Sequence, residues 1–590
     1  MTENTSRDPD VPLSQPSGLQ APALSTSGAP RSNHANHPRT ASPTRSADSQ
    51  KPQPDTTSDR ATAAFIRRTL CSHNVLLNNG EKGRSTPRPI EDVLPPLTSS
   101  NEVDLQLYGI ISVIIKEFVQ TWYSKITPDQ VFVNEVIQII AHCTRGLEQR
   151  LRQVDLEALL LDEIPELLQA HLRSFRIAKH QAASLGSLIA DPRTIYHTLH
   201  PHPALSPVPT ESVPASILEQ RESESAWRQL LVHGVLALLL PTEDLENGCL
   251  RALVAEIFAE MILGSGISGK ACEGWVLWEG ITSIAEVLQT DDGKKKDSQS
   301  DEVNGEQSLT RLERYGLLPH QGAEARSKEQ LDGEEQSHKQ ARSDMSGLFW
   351  TVVQYAFMAF TAARAAMLCL ATCSSLPSRF ATSEQSSDQG SGQLEMAQTE
   401  TASSKRPAGA KRAVVSMALW SCAAQIVELD MRMPWLAGFM SMAHRGAVAG
   451  PGRVGETDGA LDRFLSHTIH TRILNPAFLP VALRTLRATL FPNNAPGPPR
   501  QVPADDEVKA IKHCCATTLL NLVPPKVASA FFATYQREAQ IQQIEDTLGC
   551  LDDTYLNKHL IFQIVELIVL RLFPELGEQS VKDLLEERIS

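Results

Sequence analysis

From Val103 onward the large apolar residues recur at intervals of three and four, and no stretch sustains the apolar–polar alternation of a half-buried strand. Leu107, Ile110, Ile111, Ile114, Phe118 and Trp122 make the first such stripe, and Phe132, Val136, Ile140, Leu147 and Leu151 make the second. Between them, Thr127-Pro128-Asp129-Gln130 offers a hydroxyl for an N-cap, a proline suited to the first helical position and a glutamine three residues after the cap. The pattern predicts an all-α fold, because helices with one apolar stripe and no sheet to cover must bury that stripe against one another.

The helical runs are unevenly spread. The first sixty residues contain no Phe, Trp or Tyr and are dense in Pro, Ser, Thr and Asn, which leaves too little apolar surface to offset the entropy of ordering. Residues 1–64 are therefore expected to be a disordered tail. A first helical block is expected over 89–288, a charged, Gln/Ser-rich disordered insertion over 289–345, an apolar helix within 346–374, a second disordered insertion over 375–411, and a C-terminal helical region over 412–590. Within the first block, LEALLLDEIPELLQAHL reads as a buried helix pair bent at Pro165, since proline removes a backbone donor. Glu157, Asp162, Glu163 and Glu166 are assigned to the wet side of those helices. The Pro/His-rich stretch 200–214 reads as a loop, 222–240 and 244–263 as helices, and Gly264 as a stop.

A net charge of −14 with intermixed signs provides no field able to release counterions from a phosphate backbone, which excludes nucleic acid as a whole-molecule partner. Ten scattered cysteines without a CxxC pair suit reduced thiols inside a cell. The opening MTENTSRDPDVPLS lacks the basic-then-apolar layout of a signal peptide.

The segment GSGISGKA (264–271) satisfies the core of a phosphate-binding loop, but a helix precedes it where a strand is required, and Ala271 stands where magnesium needs a hydroxyl. It reads as a helix end followed by a turn. His467 and His470 share a helix face without the further ligands that zinc requires, and Cys514-Cys515 has no activating partner beyond His513. No HExxH, GxSxG or acid/base pair is present. The expectation is a non-enzymatic chain with no catalytic residue, cofactor or metal.

The most unusual segment is Leu348–Ala371, LFWTVVQYAFMAFTAARAAMLCLA, which as a helix would reach about 36 Å. Phe349, Val352, Tyr355, Ala356, Phe360, Ala363, Met367 and Leu370 lie on its apolar arc and are the expected lipid or membrane contacts. Three arrangements stay open: packing in the core or along an apolar groove, docking on a membrane, and spanning one at the cost of burying Arg364 in lipid.

The run from Pro89 to Leu172, together with LLPTEDLENGCLRALVAEIFAEMIL (239–263) and GSGISGKACEGWVLWEGI (264–281), resembles the PXA domain, the PX-associated domain of sorting nexins, in its fungal form. Trp122-Tyr123-Ser124 and Asp162-Glu163-Ile164-Pro165 are its most specific parts. YLNKHLIFQIVELIVLRLFPELG (555–577), within 506–590, is similar to the C-terminal nexin region that accompanies PXA domains. The resemblance implies a PXA-type domain packed with the C-terminal helices into one lipid-binding unit. It also implies a peripheral protein on the cytoplasmic side of endosome, vacuole or endoplasmic reticulum, which binds or transfers lipid or tethers membranes in trafficking. Its expected partners are lipid acyl chains or a membrane surface, and trafficking proteins. The alternative is a soluble helical scaffold for protein–protein contacts. Two departures from the family are plain: no strand-rich basic module lies between 281 and 506 in place of a PX domain, and the first sixty residues are polar where the family carries a membrane hairpin.

Overall fold

The computed structural model describes residues 58–71, 90–127, 131–184, 191–210, 212–301, 353–361 with isolated positions up to 379, 411–450, 452–495 and 502–589. Among these residues all regular structure is helical. The first helix, α1 (Asp59–Leu70), starts inside the expected tail. Ser58 Oγ accepts the Ala61 N–H at 3.4 Å, and Asp59 sits in the first turn, where a helix favours negative charge. Phe65, Ile66 and Leu70 are then buried. A cap and one short apolar face were enough to order residues 59–64; residues 1–57 lie outside the described residues.

Next come α2 (Asn101–Ile114), a wide π-type turn at Ile115–Gln120, α3 (Thr121–Ile126) and α4 (Val131–Leu151). Ile66, Leu70, Leu97, Tyr108, Ile115, Val133 and Ile137 close the first core. The buried Asp104 carboxylate accepts the backbone N–H groups of Leu97 (2.9 Å) and Thr98 (2.7 Å), fixing the loop that enters α2.

A short helix at Leu156–Ala158 widens over Leu159–Glu163 and continues as α5 (Ile164–Ser184). Pro165 thus falls directly after the widened turn, inside one continuous helical run where a bent helix pair was expected. After α6 (Pro192–Leu199) and α7 (Pro214–Leu239), α8 (Gly248–Glu256) runs on into a π-type helix over Ile257–Ala271. Gly264 is therefore not a stop, and 264–271 is helix where a turn was expected. The wider winding carries the chain through its glycines, and the helix ends at Cys272. Helix α9 (Gly274–Asp301) continues past residue 289, where the first insertion was placed.

The C-terminal helices are α10 (Ala418–Ile426), α11 (Pro434–Ala449), α12 (Ala460–Arg472), α13 (Phe478–Leu490), α14 (Asp505–Leu522), α15 (Pro525–Phe531), α16 (Arg537–Leu548), α17 (Thr554–Leu572) and α18 (Val581–Ile589). Their core clusters are shared with the first block. Trp278 of α9 packs with Cys515, Leu520, Ile541 and Leu548. Tyr196 and Leu205 pack with Tyr555, Leu556 and Phe562 of α17, and Leu161 packs with Val414 and Met417. Leu585 of α18 closes the cluster around Leu236 and Leu240.

Glu157 is the clearest departure from the expected surface acids: it is 3% exposed. Arg379, from the segment assigned to the second insertion, bridges Glu157 (2.8 Å) and Asp462 of α12 (2.7 Å). Burial alone would raise the Glu157 pKa, but His470 and Arg379 outweigh it and hold the carboxyl below its usual range. Asp162 pairs with Arg412 (2.9 Å) and Glu163 with Arg571 (2.5 Å), so these acids also face the second block.

Two consequences are measurable. Arg379→Ala strands Glu157 and Asp462 without their cation and is expected to lower unfolding stability by about 3–5 kcal/mol in a urea titration. Gly274→Ala places a Cβ 2.5 Å from the Leu551 carbonyl oxygen, a backbone atom that cannot swing aside, and is expected to cost about 1–3 kcal/mol in the same titration.

Candidate functional site

Two features stand out from the packing: a buried polar joint between the helical blocks, and apolar helix faces turned to solvent. The joint is built where α5, α6 and the 200–208 loop meet the start of α17. His171 Nε2 lies 3.3 Å from the Cys550 carbonyl and Nδ1 lies 2.8 Å from Tyr196 Oη. A carbonyl only accepts, so Nε2 carries the proton and Nδ1 accepts from the tyrosine. Tyr555 Oη donates to the Leu205 carbonyl (2.7 Å) and accepts from His197 Nδ1 (3.0 Å), which also faces His559 Nε2 at 3.4 Å. His202 lies 3.4 Å from Glu566, whose carboxylate also accepts Trp227 Nε1–H at 2.6 Å. Trp227 and Phe562 stack beside them with centroids 4.4 Å apart.

Burial pulls His171 down to about 4. Burial, reinforced by His197, His202, His171 and His200, pulls His559 down to about 3. The Pro/His-rich loop expected at 200–214 is thus present as a loop, but His202, Ala204 and Leu205 are buried. The density of histidine at 197–202 was the available signal for this joint. Its partners on α17 lie more than three hundred residues away, which no local pattern reveals.

A cleft of about 430 Å³ opens beside the joint, lined by Phe175, Arg176, Lys179, Arg432, Asp546 and Cys550 among others. Its arginines are already engaged, Arg176 with the Gln425 carbonyl (2.8 Å) and Glu428 (3.3 Å), and Arg432 with Glu428 (3.4 Å) and Gln543.

The apolar segment singled out in the sequence is helical over 353–361. Of the expected contacts, Tyr355, Ala356, Phe360 and Met367 face solvent, Tyr355 at 64% and Met367 at 72% exposure. Phe349, Val352, Ala363 and Leu370 lie outside the described residues. Phe357 and Met358 are exposed as well, so the outward apolar surface extends beyond the expected arc. Helix α13 shows the same inversion. Its Phe478, Val481, Leu486 and Leu490 point outward, while Arg487 is 3% exposed, its Nη1 donating to Thr62 Oγ1 at 2.8 Å. Gly109 of α2 makes room for that guanidinium, since a Cβ there would lie 2.7 Å from Nη1. Phe118, Trp122 and Ile126 are likewise outside while Gln106 and Ser112 are inside. Among the described residues no helix is long and apolar enough to cross a membrane, no three metal-ligating side chains converge, and the cysteines are free thiols.

The sequence profile of the PXA domain matches residues 100–284, the stretch from α2 into α9. Residues 100–284 are a PXA domain. PXA domain protein 1 of Schizosaccharomyces pombe is 34% identical over 156 residues, covering 26% of this chain and 29% of that protein. Sorting nexin-13 of Homo sapiens is 24% identical over 168 residues, 28% of this chain and 17% of its own length. Sorting nexin-19 of Mus musculus is 25% identical over 187 residues, 31% of this chain and 17% of its own length. The chain thus covers less than a third of these relatives. No solved structure matches it. The buried joint described above therefore fastens the PXA domain to helices that lie outside it.

The joint sets a pH dependence. Because the folded pKa values of His171 and His559 lie below the ordinary value of about 6.5, the unfolded chain binds more protons than the folded one as pH falls from that value toward 4 and 3. Stability is complete above pH 6.5 and declines on acidification through that window. Thermal melts between pH 7.5 and 4.5 are expected to show a falling midpoint, with a shallower slope in His559→Phe.

Proposed function

We propose that this PXA-domain chain is a non-catalytic lipid-binding protein of intracellular membranes, in which the PXA domain and the C-terminal helices act as one unit and hold acyl chains against outward apolar helix faces. The observation that carries the reading is the inversion: Tyr355, Phe360 and Met367 face out, and on α13 the apolar residues face out while Arg487 is turned in. Water makes such an arrangement costly, whereas hydrocarbon makes it favourable by about 0.8 kcal/mol for each methylene transferred. The kinship with sorting nexins and the nexin-like character of 506–590 point in the same direction and suggest endosome, vacuole or endoplasmic reticulum as the site of action. Lipid binding, transfer or tethering asks of the protein only shape and apolar area, which a helical scaffold supplies without a reaction.

Native mass spectrometry of the purified full chain is expected to show a fraction carrying phospholipid-sized ligands, and Tyr355→Asp with Phe360→Asp is expected to reduce that fraction severalfold. A chain that carries no lipid, and takes none up from phosphatidylcholine vesicles, refutes the reading.

A further inference from the structure

Helix α11 was not singled out in the sequence, where its Ala, Gly and Met content looks like that of an ordinary core helix. In the structure none of its residues is buried. Trp435, Phe439 and Met442 share one arc at i, i+4 and i+7 and are 69%, 63% and 76% exposed, with the exposed Met440 beside them. Arg445 lies at one edge of that arc, about 60° round the helix from Met442, and His444 lies on the opposite side. Arg445 makes no ion pair among the described residues, and His444 Nε2 lies 3.4 Å from Ser416 Oγ. The local charge is as distinctive as the apolar arc. A chain with 69 acidic residues has none between Met431 and Gly455, a stretch that carries Arg432, Arg445 and Arg453. Arg432 and Arg453 are paired with Glu428 and Glu456, which leaves Arg445 as the free cation at the edge of the arc.

We propose that α11 is a membrane-docking helix that lies in the plane of an anionic bilayer surface. Its sixteen residues reach about 24 Å, short of a bilayer core, so it cannot span. An apolar arc with an arginine at its edge matches the boundary between acyl chains and anionic headgroups: Trp435, Phe439 and Met442 enter the hydrocarbon edge, and Arg445 extends its charge to the phosphates. A protein partner would meet the same apolar arc, but the complete absence of acidic residues favours a negatively charged surface. The proposal rests on the reading of the chain as lipid-facing, yet it concerns a different helix from the one assigned to acyl chains, so the two can fail separately.

The test is co-sedimentation of the full chain with vesicles of phosphatidylcholine alone and of phosphatidylcholine with phosphatidylserine. Wild type is expected to bind the phosphatidylserine vesicles and to release them as salt is raised. Phe439→Asp and Arg445→Glu are each expected to weaken that binding roughly tenfold or more. Both positions are exposed, so circular dichroism and the thermal midpoint should match wild type, and the amount of lipid co-purifying with the chain should not change. Equal binding to neutral vesicles overturns the anionic assignment. Wild-type levels of binding by Phe439→Asp overturn the role of α11, as does a loss of self-association in that variant with vesicle binding intact, which would make the face a contact between two copies. If the chain carries no extractable lipid but still binds vesicles through Phe439, the acyl-chain reading fails and the docking helix stands.

Discussion

The architecture depends on the polar side chains at the start of α17 having partners in the PXA domain. Asn557 is fully buried, and its amide donates to the Cys272 carbonyl at 2.9 Å and to the Leu551 carbonyl at 2.8 Å. Tyr555 is satisfied by Leu205 and His197, and Lys558 reaches Glu224 at 2.6 Å. If α17 left the PXA domain, each of these groups and its counterpart would have to find water or remain unpaired, and an unmade buried hydrogen bond costs about 1–3 kcal/mol. Arg193 to Asp553, Arg150 to Glu575 and Arg571 to Glu163 add partly exposed pairs along the same boundary. Such pairs contribute little energy individually. Their contribution is to fix which face of α17 meets which helix. The PXA domain is therefore one wall of a larger body, and its own core residues, Trp278 and Leu161 among them, are completed by side chains from beyond residue 410.

That dependence frees other surfaces from supporting the fold. A helix whose register is held by polar groups does not need its apolar residues for packing. Arg487 anchors α13 through Thr62 and Asn494, with Phe478, Leu486 and Leu490 of the same helix outside, and Gln106 fixes α2 through Asp59, with Phe118 and Trp122 exposed further along the chain. Burying a guanidinium without a carboxylate is expensive, and burial together with the neighbouring Arg484 lowers the Arg487 pKa. The fold accepts this cost while leaving Leu486 and Leu490 exposed, which is the surface that the proposed lipid contact would cover.

Helical class was legible from the sequence because period is a local property: the stripes from Leu107 to Trp122 and from Phe132 to Leu151 each state their own conformation. The PXA domain was legible because its motifs are contiguous. What stayed hidden was pairing across distance. Glu157 looks like a surface acid until Arg379 and Asp462, more than two hundred residues away, are placed beside it. His171 and His559 look like unremarkable helix residues until the fold brings them to one joint. Gly264 suggested a stop because a standard α-helix disfavours glycine, whereas the chain passes through it in the π-type winding over 257–271. The segment 348–371 was legible as apolar, but the outward placement of Phe357 and Met358 was not, since a wheel assigns arcs without knowing which neighbours exist.

Net charge sharpens the question of how such a chain could approach a lipid surface at all. A protein at −14 is repelled by anionic headgroups taken as a whole, but at physiological ionic strength the Debye length is about 8 Å, so only charges close to the contact act on it. The relevant quantity is the charge within one helix diameter of the docking face. Along α11 the sequence carries Arg445 and no acid, the first carboxylates on either side being Asp430 and Glu456. A uniformly acidic exterior would have kept the apolar faces of this fold away from the bilayers that could cover them. Removing every carboxylate from a single stretch, and placing Trp435 and Phe439 there, lets one face approach while the rest of the surface keeps the protein dispersed in water.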